Sequence, residues 1–170
     1  MARSFDVSVE SSASVEQLHA ALSGEDYWLA RLAASGESTT LDSLIVDPDR
    51  TVRMVVVQDV GRDLLPGILA KFYHRDLQVR HAETWRSIGE HHLRGEISVA
   101  VSGAPGSGSG VALVAPTRNG SRLTVTGSIE FKVPLVGGAI ESYLAREFAQ
   151  GIPELQRFTT AWISQQSCGW

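Results

Sequence analysis

The chain has 170 residues, 43% of them hydrophobic and 20% charged, with a formal net charge of -4, which is apolar material enough for one packed core and fits one domain over 1–170 better than two. Lys and Arg are scattered rather than clustered, so no cationic surface for phosphate backbones is apparent and nucleic acid is not an expected partner. The only cysteine, Cys168, can make no intrachain disulfide, and a reducing, cytoplasmic setting is the simpler expectation.

The opening MARSFDVSVESS alternates polar and apolar instead of presenting a secretory leader. No apolar run approaches the roughly 20 residues that span a bilayer, so the protein is not expected to be membrane-spanning. Phe5, Val7 and Val9 alternate with Ser4, Asp6, Ser8 and Glu10, which predicts a strand over 3–11. Ser14 and Gln17 form a capping box ahead of Val15, Leu18 and Leu22, and a second short helix, EDYWLARLAAS, runs to Gly36. LDSLIV and TVRMVVVQDV then make a hairpin around Asp47-Pro48-Asp49-Arg50.

Leu64 to Phe72 fits a short helix opened by proline, followed by strands over 77–88, 93–102 and 109–116. GAPGSGSG, 103–110, reads as a mobile low-complexity loop. It lacks the spacing of a phosphate-binding loop. Asn119-Gly120 signals a hairpin through positive φ. Beyond it Leu123, Val125, Gly127, Ile129, Phe131 and Val133 share one strand face. Finally Ile140, Leu144, Phe148, Ile152, Leu155, Phe158 and Trp162 mark a long helical stripe to about 166, with a kink expected near Pro153. In the intervening FKVPLVGGAIE, Pro134 ends the strand. Gly137 and Gly138 are expected to supply the unusual backbone angles of a reversal that lays the helix over the apolar strand face.

The order β-α-α, antiparallel strands, long helix is an α+β arrangement. It resembles the START-like or helix-grip fold of the SRPBCC superfamily, in which a curved, mainly antiparallel sheet of about six or seven strands wraps a long C-terminal helix. DLLPGILAKF, Glu83-Thr84-Trp85 and VPLVGGAIE resemble a domain-of-unknown-function family within it, DUF2505. Superfamily relatives include lipid carriers, hormone receptors, polyketide cyclases and chaperone cofactors, so the resemblance implies a cavity without choosing a function.

The strongest local signal lies in strand 77–88, where Leu77, Val79 and Trp85 share a parity that also turns His81 and Glu83 inward. Ionisable groups facing an apolar interior have perturbed protonation and are candidates for ligand recognition or acid/base work. A bulge near 82 would instead leave both at the rim. The expected cavity wall takes Met54, Val79, Trp85 and Ile97 from the central strands, and Val125, Gly127 and Ile129 from the last strand. Trp28, Tyr143, Leu144 and Phe148 complete it from the helices. Gly95 and Gly127, at inward parity, either ease strand curvature or leave room for a guest. His74, His81, His91 and His92 match no metal-ligand spacing, no cofactor is expected, and first-turn capping accounts for Glu141.

Three readings follow. The first is a binding protein whose cavity takes a hydrophobic small molecule or lipid. The second is an interaction module with a filled core, acting through its surface or through 103–110. The third is a cyclase- or dehydratase-like enzyme with His81 as acid or base and Glu83 setting its tautomer, which requires both to face the cavity free of competing structural bonds. The oligomeric state is left open by the sequence.

Overall fold

The structure is a computed structural model that describes residues 2–35, 38–60, 67 and 77–167. The helix expected over 64–72 lies outside those residues except for Gly67, as do Tyr73, His74 and Cys168. The elements are β1 (Arg3–Ser11), α1 (Val15–Leu22), α2 (Glu25–Ser35), β2 (Thr39–Val46) and β3 (Val52–Val60), then β4 (Leu77–Ile88), β5 (His92–Ser102), β6 (Gly106–Thr117), β7 (Gly120–Phe131) and α3 (Gly137–Ser167). The strands form one seven-stranded sheet in the order β1-β7-β6-β5-β4-β3-β2. Every neighbouring pair is antiparallel.

This is the helix-grip arrangement: the sheet wraps α3, and α1 and α2 follow the first strand. At 31 residues, α3 is about 46 Å long. It lies against β1 and β7 and meets α1 and α2. One apolar cluster centres on Tyr27, Trp28, Val52, Met54, Leu93 and Val114. A smaller one, at the end where α3 begins, joins Leu77, Phe131 and Ile140. Among the described residues no helix is long and apolar enough to cross a membrane.

The cap of α1 forms as its residues dictate: Ser14 Oγ accepts from the Gln17 backbone N–H, and Gln17 Oε1 accepts from the Ser14 N–H. Buried His19 Nε2 donates to the Arg50 carbonyl, 2.8 Å away, and so ties α1 to the β2–β3 turn.

Four expectations are corrected. The mobile loop of 103–110 is confined to 103–105, because β6 starts at Gly106 and Ser107 to Gly110 pair with β5 and β7 on both sides. Two flanking ladders override the poor strand propensity of glycine and serine. The hairpin expected at Asn119-Gly120 forms, but its two-residue turn is Arg118-Asn119, neither with positive φ. Gly120 is instead the first residue of β7, and a Cβ there would collide with the Ser11 carbonyl oxygen.

In the PLVGG segment the positive φ, 70°, falls on Leu135, while both glycines belong to the first turn of α3. Gly137 is required for closeness, since its Cβ would strike the Phe131 carbonyl oxygen; Gly138 has open space. Glu141, one turn further in, is 2% exposed and its Oε2 accepts from the Phe131 backbone N–H at 2.9 Å. It therefore pins α3 to the end of β7, where capping had been expected. Through Pro153, α3 continues without ending.

Candidate functional site

β4 pairs with β3 and β5 without a register shift, so its odd-numbered residues all point inward. Glu83 is 4% exposed and His81 has 28% of its side chain exposed. The rim alternative is thereby excluded, since no bulge interrupts the strand near 82.

Glu83 sits at the centre of a polar cluster. Its Oε1 accepts from His81 Nε2 at 2.8 Å and from Arg31 Nη2 at 3.3 Å, and its Oε2 accepts from Trp85 Nε1 at 2.7 Å. Arg31, on α2, also lies over the Trp28 ring with 4.7 Å from guanidinium carbon to ring centre. Burial alone would raise the Glu83 pKa, but the Arg31 charge and the bonds from His81 and Trp85 outweigh it and bring the value down to about 2. Burial works against the Arg31 charge as well, yet the Glu83 carboxylate prevails and the Arg31 pKa is raised. The pair is a buried ion pair with its remaining acceptor capacity used.

A carboxylate can only accept, so the proton in the His81–Glu83 bond is carried by Nε2, which leaves Nδ1 with no partner among the described residues. The enzyme reading required Glu83 to have no competing structural bonds, and those from Arg31 and Trp85 are such bonds. Glu83 therefore ties the Arg31 side chain of α2 and the Trp85 side chain of its own strand together, as well as orienting His81. Its role as a dedicated catalytic partner is weakened accordingly.

Among the described residues, three cavities lie between the sheet and the helices. One of about 280 Å³ contains the polar cluster and is closed by Leu18, Leu22, Val114, Val125, Ile152 and Leu155. A second, of about 230 Å³, has no charged side chain among the described residues of its wall and runs between Phe5, Val101, Ile129, Phe131 and Leu144. A third, of about 190 Å³, lies under α2 beside Trp28, Leu32, Met54 and Val56. Val99 and Phe148 border all three, and Arg31 and His81 border the first and third. The Phe148 ring stacks on Phe5 with centroids 6.2 Å apart and stands as a partition between chambers.

His81, Glu83, Trp85, Ile97, Val125 and Phe148 are brought to the polar chamber, Val79, Ile129 and Leu144 to the apolar one, and Trp28 and Met54 to the third. Gly127 and Tyr143 line none of the three. Gly127 does face inward, but the Phe5 ring of the paired strand covers it, and an added Cβ would sit 2.6 Å from that ring. Tyr143 is turned about 100° around the helix from Leu144. Gly95 is likewise covered, by the Trp85 ring directly across the ladder, at 2.7 Å. Neither glycine thus leaves room for a guest; each accommodates a neighbour's aromatic ring.

Sequence reasoning missed three residues. Arg31 follows Tyr27 and Trp28 at i+4 and i+3, a spacing that puts it on their face of α2. Gln156 and Thr159 continue the inward row from Ile152 to Ile163 at three- and four-residue steps, although the apolar residues alone had defined the stripe. Both are buried, at 7% and 4% exposure. Thr159 is satisfied: its hydroxyl donates to the Leu155 carbonyl and accepts from the Tyr27 hydroxyl at 2.7 Å. Gln156 Nε2 is not, for it is buried without a hydrogen-bond partner among the described residues. Leaving such a donor unpaired costs about 1–3 kcal/mol. No group of three or more His, Cys, Asp or Glu among the described residues is placed to hold a metal ion.

A protein of Mycobacterium tuberculosis and one of Mycobacterium bovis, each named only as uncharacterized, are 36% identical over 171 residues, covering 96% of this chain and 98% of theirs. Among solved structures, TTHA0849 of Thermus thermophilus superposes with a TM-score of 0.56 at 14% identity, covering 98% of this chain and 99% of that one. The di-domain ARO/CYC StfQ of the steffimycin pathway gives 0.60, and dicamba monooxygenase bound to 3,6-dichlorosalicylic acid gives 0.61. Both are 14% identical; each match covers 98% of this chain and about half of the other (52% and 51%). Such distant likenesses establish the fold, which is that of the SRPBCC or START-like helix-grip group. Residues 6–163, from within β1 to the last turns of α3, match the family described as "Protein of unknown function (DUF2505)", and the chain belongs to it.

Proposed function

We propose that the protein binds a hydrophobic small molecule or lipid between the sheet and α3. The observation that carries this reading is the pair of adjoining chambers, about 280 and 230 Å³, whose walls are mostly apolar and whose few polar groups converge at one end. That combination is the usual form of a small-molecule site. The same chambers weigh against a core filled by its own side chains. Two solved structures of the same fold carry, in their descriptions, an aromatase/cyclase role and a bound chlorinated aromatic acid, and they lend the reading support by analogy only.

Native mass spectrometry of gently purified protein, followed by a thermal-shift screen against a lipid and small-hydrophobe panel, tests the proposal. A retained mass or a panel member that raises Tm in proportion to its concentration is the expected result. A clean apo mass together with an unresponsive Tm across the panel would contradict it.

A further inference from the structure

We infer that the polar chamber takes a neutral hydrogen-bond acceptor, a ketone, ester or amide carbonyl carried on an apolar body, and that Gln156 is the residue that reads it. The inference rests on the binding proposal above and narrows it to a ligand class.

Several donors around the chamber already have partners, and the free His81 Nδ1 is an acceptor. Arg31, His81 and Trp85 direct N–H groups at the two oxygens of Glu83. Tyr27 donates to Thr159, which passes its own proton to Leu155. Among the described residues lining the chamber, Gln156 Nε2 is the donor buried without an acceptor, packed in the wall so that a turn of its side chain brings it to a guest; the other such atom, Thr39 Oγ1, borders the third cavity. Inside α3 nothing demands an amide there: its backbone carbonyl accepts from Thr160, and a leucine would continue the inward row as well. An amide in that place is costly unless something pairs with it.

Charge decides which acceptor. Arg31 is already neutralised by Glu83, and Glu147 also borders the chamber. Among the described residues of the wall, a carboxylate ligand would be a further anion with no unpaired cation to meet it, and an ammonium would find the Glu83 oxygens occupied and Glu147 exposed to solvent. A carbonyl adds no charge and supplies the missing acceptor. Its alkyl or aryl remainder extends past Phe148 into the chamber whose described wall residues carry no charge.

The test is calorimetric titration at pH 7 with three probes of matched length, 2-undecanone, undecanoate and n-undecane, against wild type, Gln156→Leu and the length-preserving Gln156→Met. Wild type is expected to bind the ketone at least about tenfold more tightly than the carboxylate, a difference of about 1.4 kcal/mol. Both variants should lose about that factor for the ketone, keep their affinity for the alkane, and show a ligand-free Tm equal to or above wild type. Equal affinity for ketone and carboxylate, or ketone binding unchanged in both variants, would overturn the inference while alkane binding upholds the cavity. A Tm lowered in both variants would also overturn it, by showing the amide to be structural. Failure of all three probes with wild type would remove this inference and the binding proposal together.

Discussion

The two main chambers share Ile97, Val99 and Phe148 yet are built in opposite ways. Around Glu83 the protein buries an ion pair, an indole N–H and an unpaired amide, with a half-buried histidine, within one cavity wall. Beyond Phe148 the described residues of the wall are aromatic and aliphatic, relieved by serines and glycines of β6 and β7. Burying polar groups is costly and burying apolar ones is favourable, so the first chamber spends stability that the second helps supply. Such expenditure at one end of a cavity is what orientation of a guest requires: a fixed polar end and a permissive apolar end.

Removing the centre of the polar chamber should break the contrast most severely. Glu83→Ala leaves the Arg31 guanidinium buried without its anion, and urea denaturation is expected to show a loss of about 3–5 kcal/mol. An equally stable variant would mean that the pair is not held as described.

Acid should produce a comparable but graded effect. The Glu83 pKa is depressed from 4.5 to about 2, so the folded state prefers the ionised form; the contribution is complete above pH 4.5 and lost as pH falls from there towards about 2. Its size is on the order of 3 kcal/mol by linkage. Denaturation midpoints measured between pH 6 and pH 2 should therefore fall for wild type and fall less for Glu83→Gln, whereas parallel curves would count against the assignment.

The partition offers a smaller effect on stability and a larger one on selectivity. Phe148 is 39% exposed, so Phe148→Ala should cost about 1–2 kcal/mol, less than a fully buried phenylalanine. Merging the chambers should shift the preferred length of bound methyl ketones upward by several carbons in a homologous series. An unchanged length preference would show that the ring does not separate the two spaces.

At the end of the apolar chamber, the two adjacent glycines should respond with opposite signs. Gly138→Ala meets nothing and should gain about 0.5–1 kcal/mol from helix propensity. Gly137→Ala presses on the Phe131 carbonyl and should lose about 1 kcal/mol or more. Thermal denaturation of the two single variants resolves this; a gain at both positions would contradict the close approach.

Much of the fold was legible because alternation and helical spacing are local. The limits of β1, α1, α2 and β4, and the inward parity of His81 and Glu83, follow from residues adjacent in sequence. What escaped depends on partners distant in sequence. Gly106 to Gly110 became strand because β5 and β7 hold them from both sides. Gly95 and Gly127 turned out to be covered because Trp85 and Phe5 lie directly across the ladder. Arg31 and Gln156 escaped for another reason: a search for apolar periodicity passes over polar residues on the buried face, which is where this site keeps its discriminating groups.

The most direct measurement is a two-dimensional 1H–15N NMR titration of the 15N-labelled protein with 2-undecanone, following the Gln156 side-chain amide together with the backbone amides of β4, β7 and α3. Saturable shifts at the Gln156 amide and at Val99, Ile129 and Phe148, with the outer face of the sheet unmoved, are predicted. Saturable shifts confined to the outer face, or none in the 140–160 stretch of α3 up to the solubility limit of the ketone, would contradict the account.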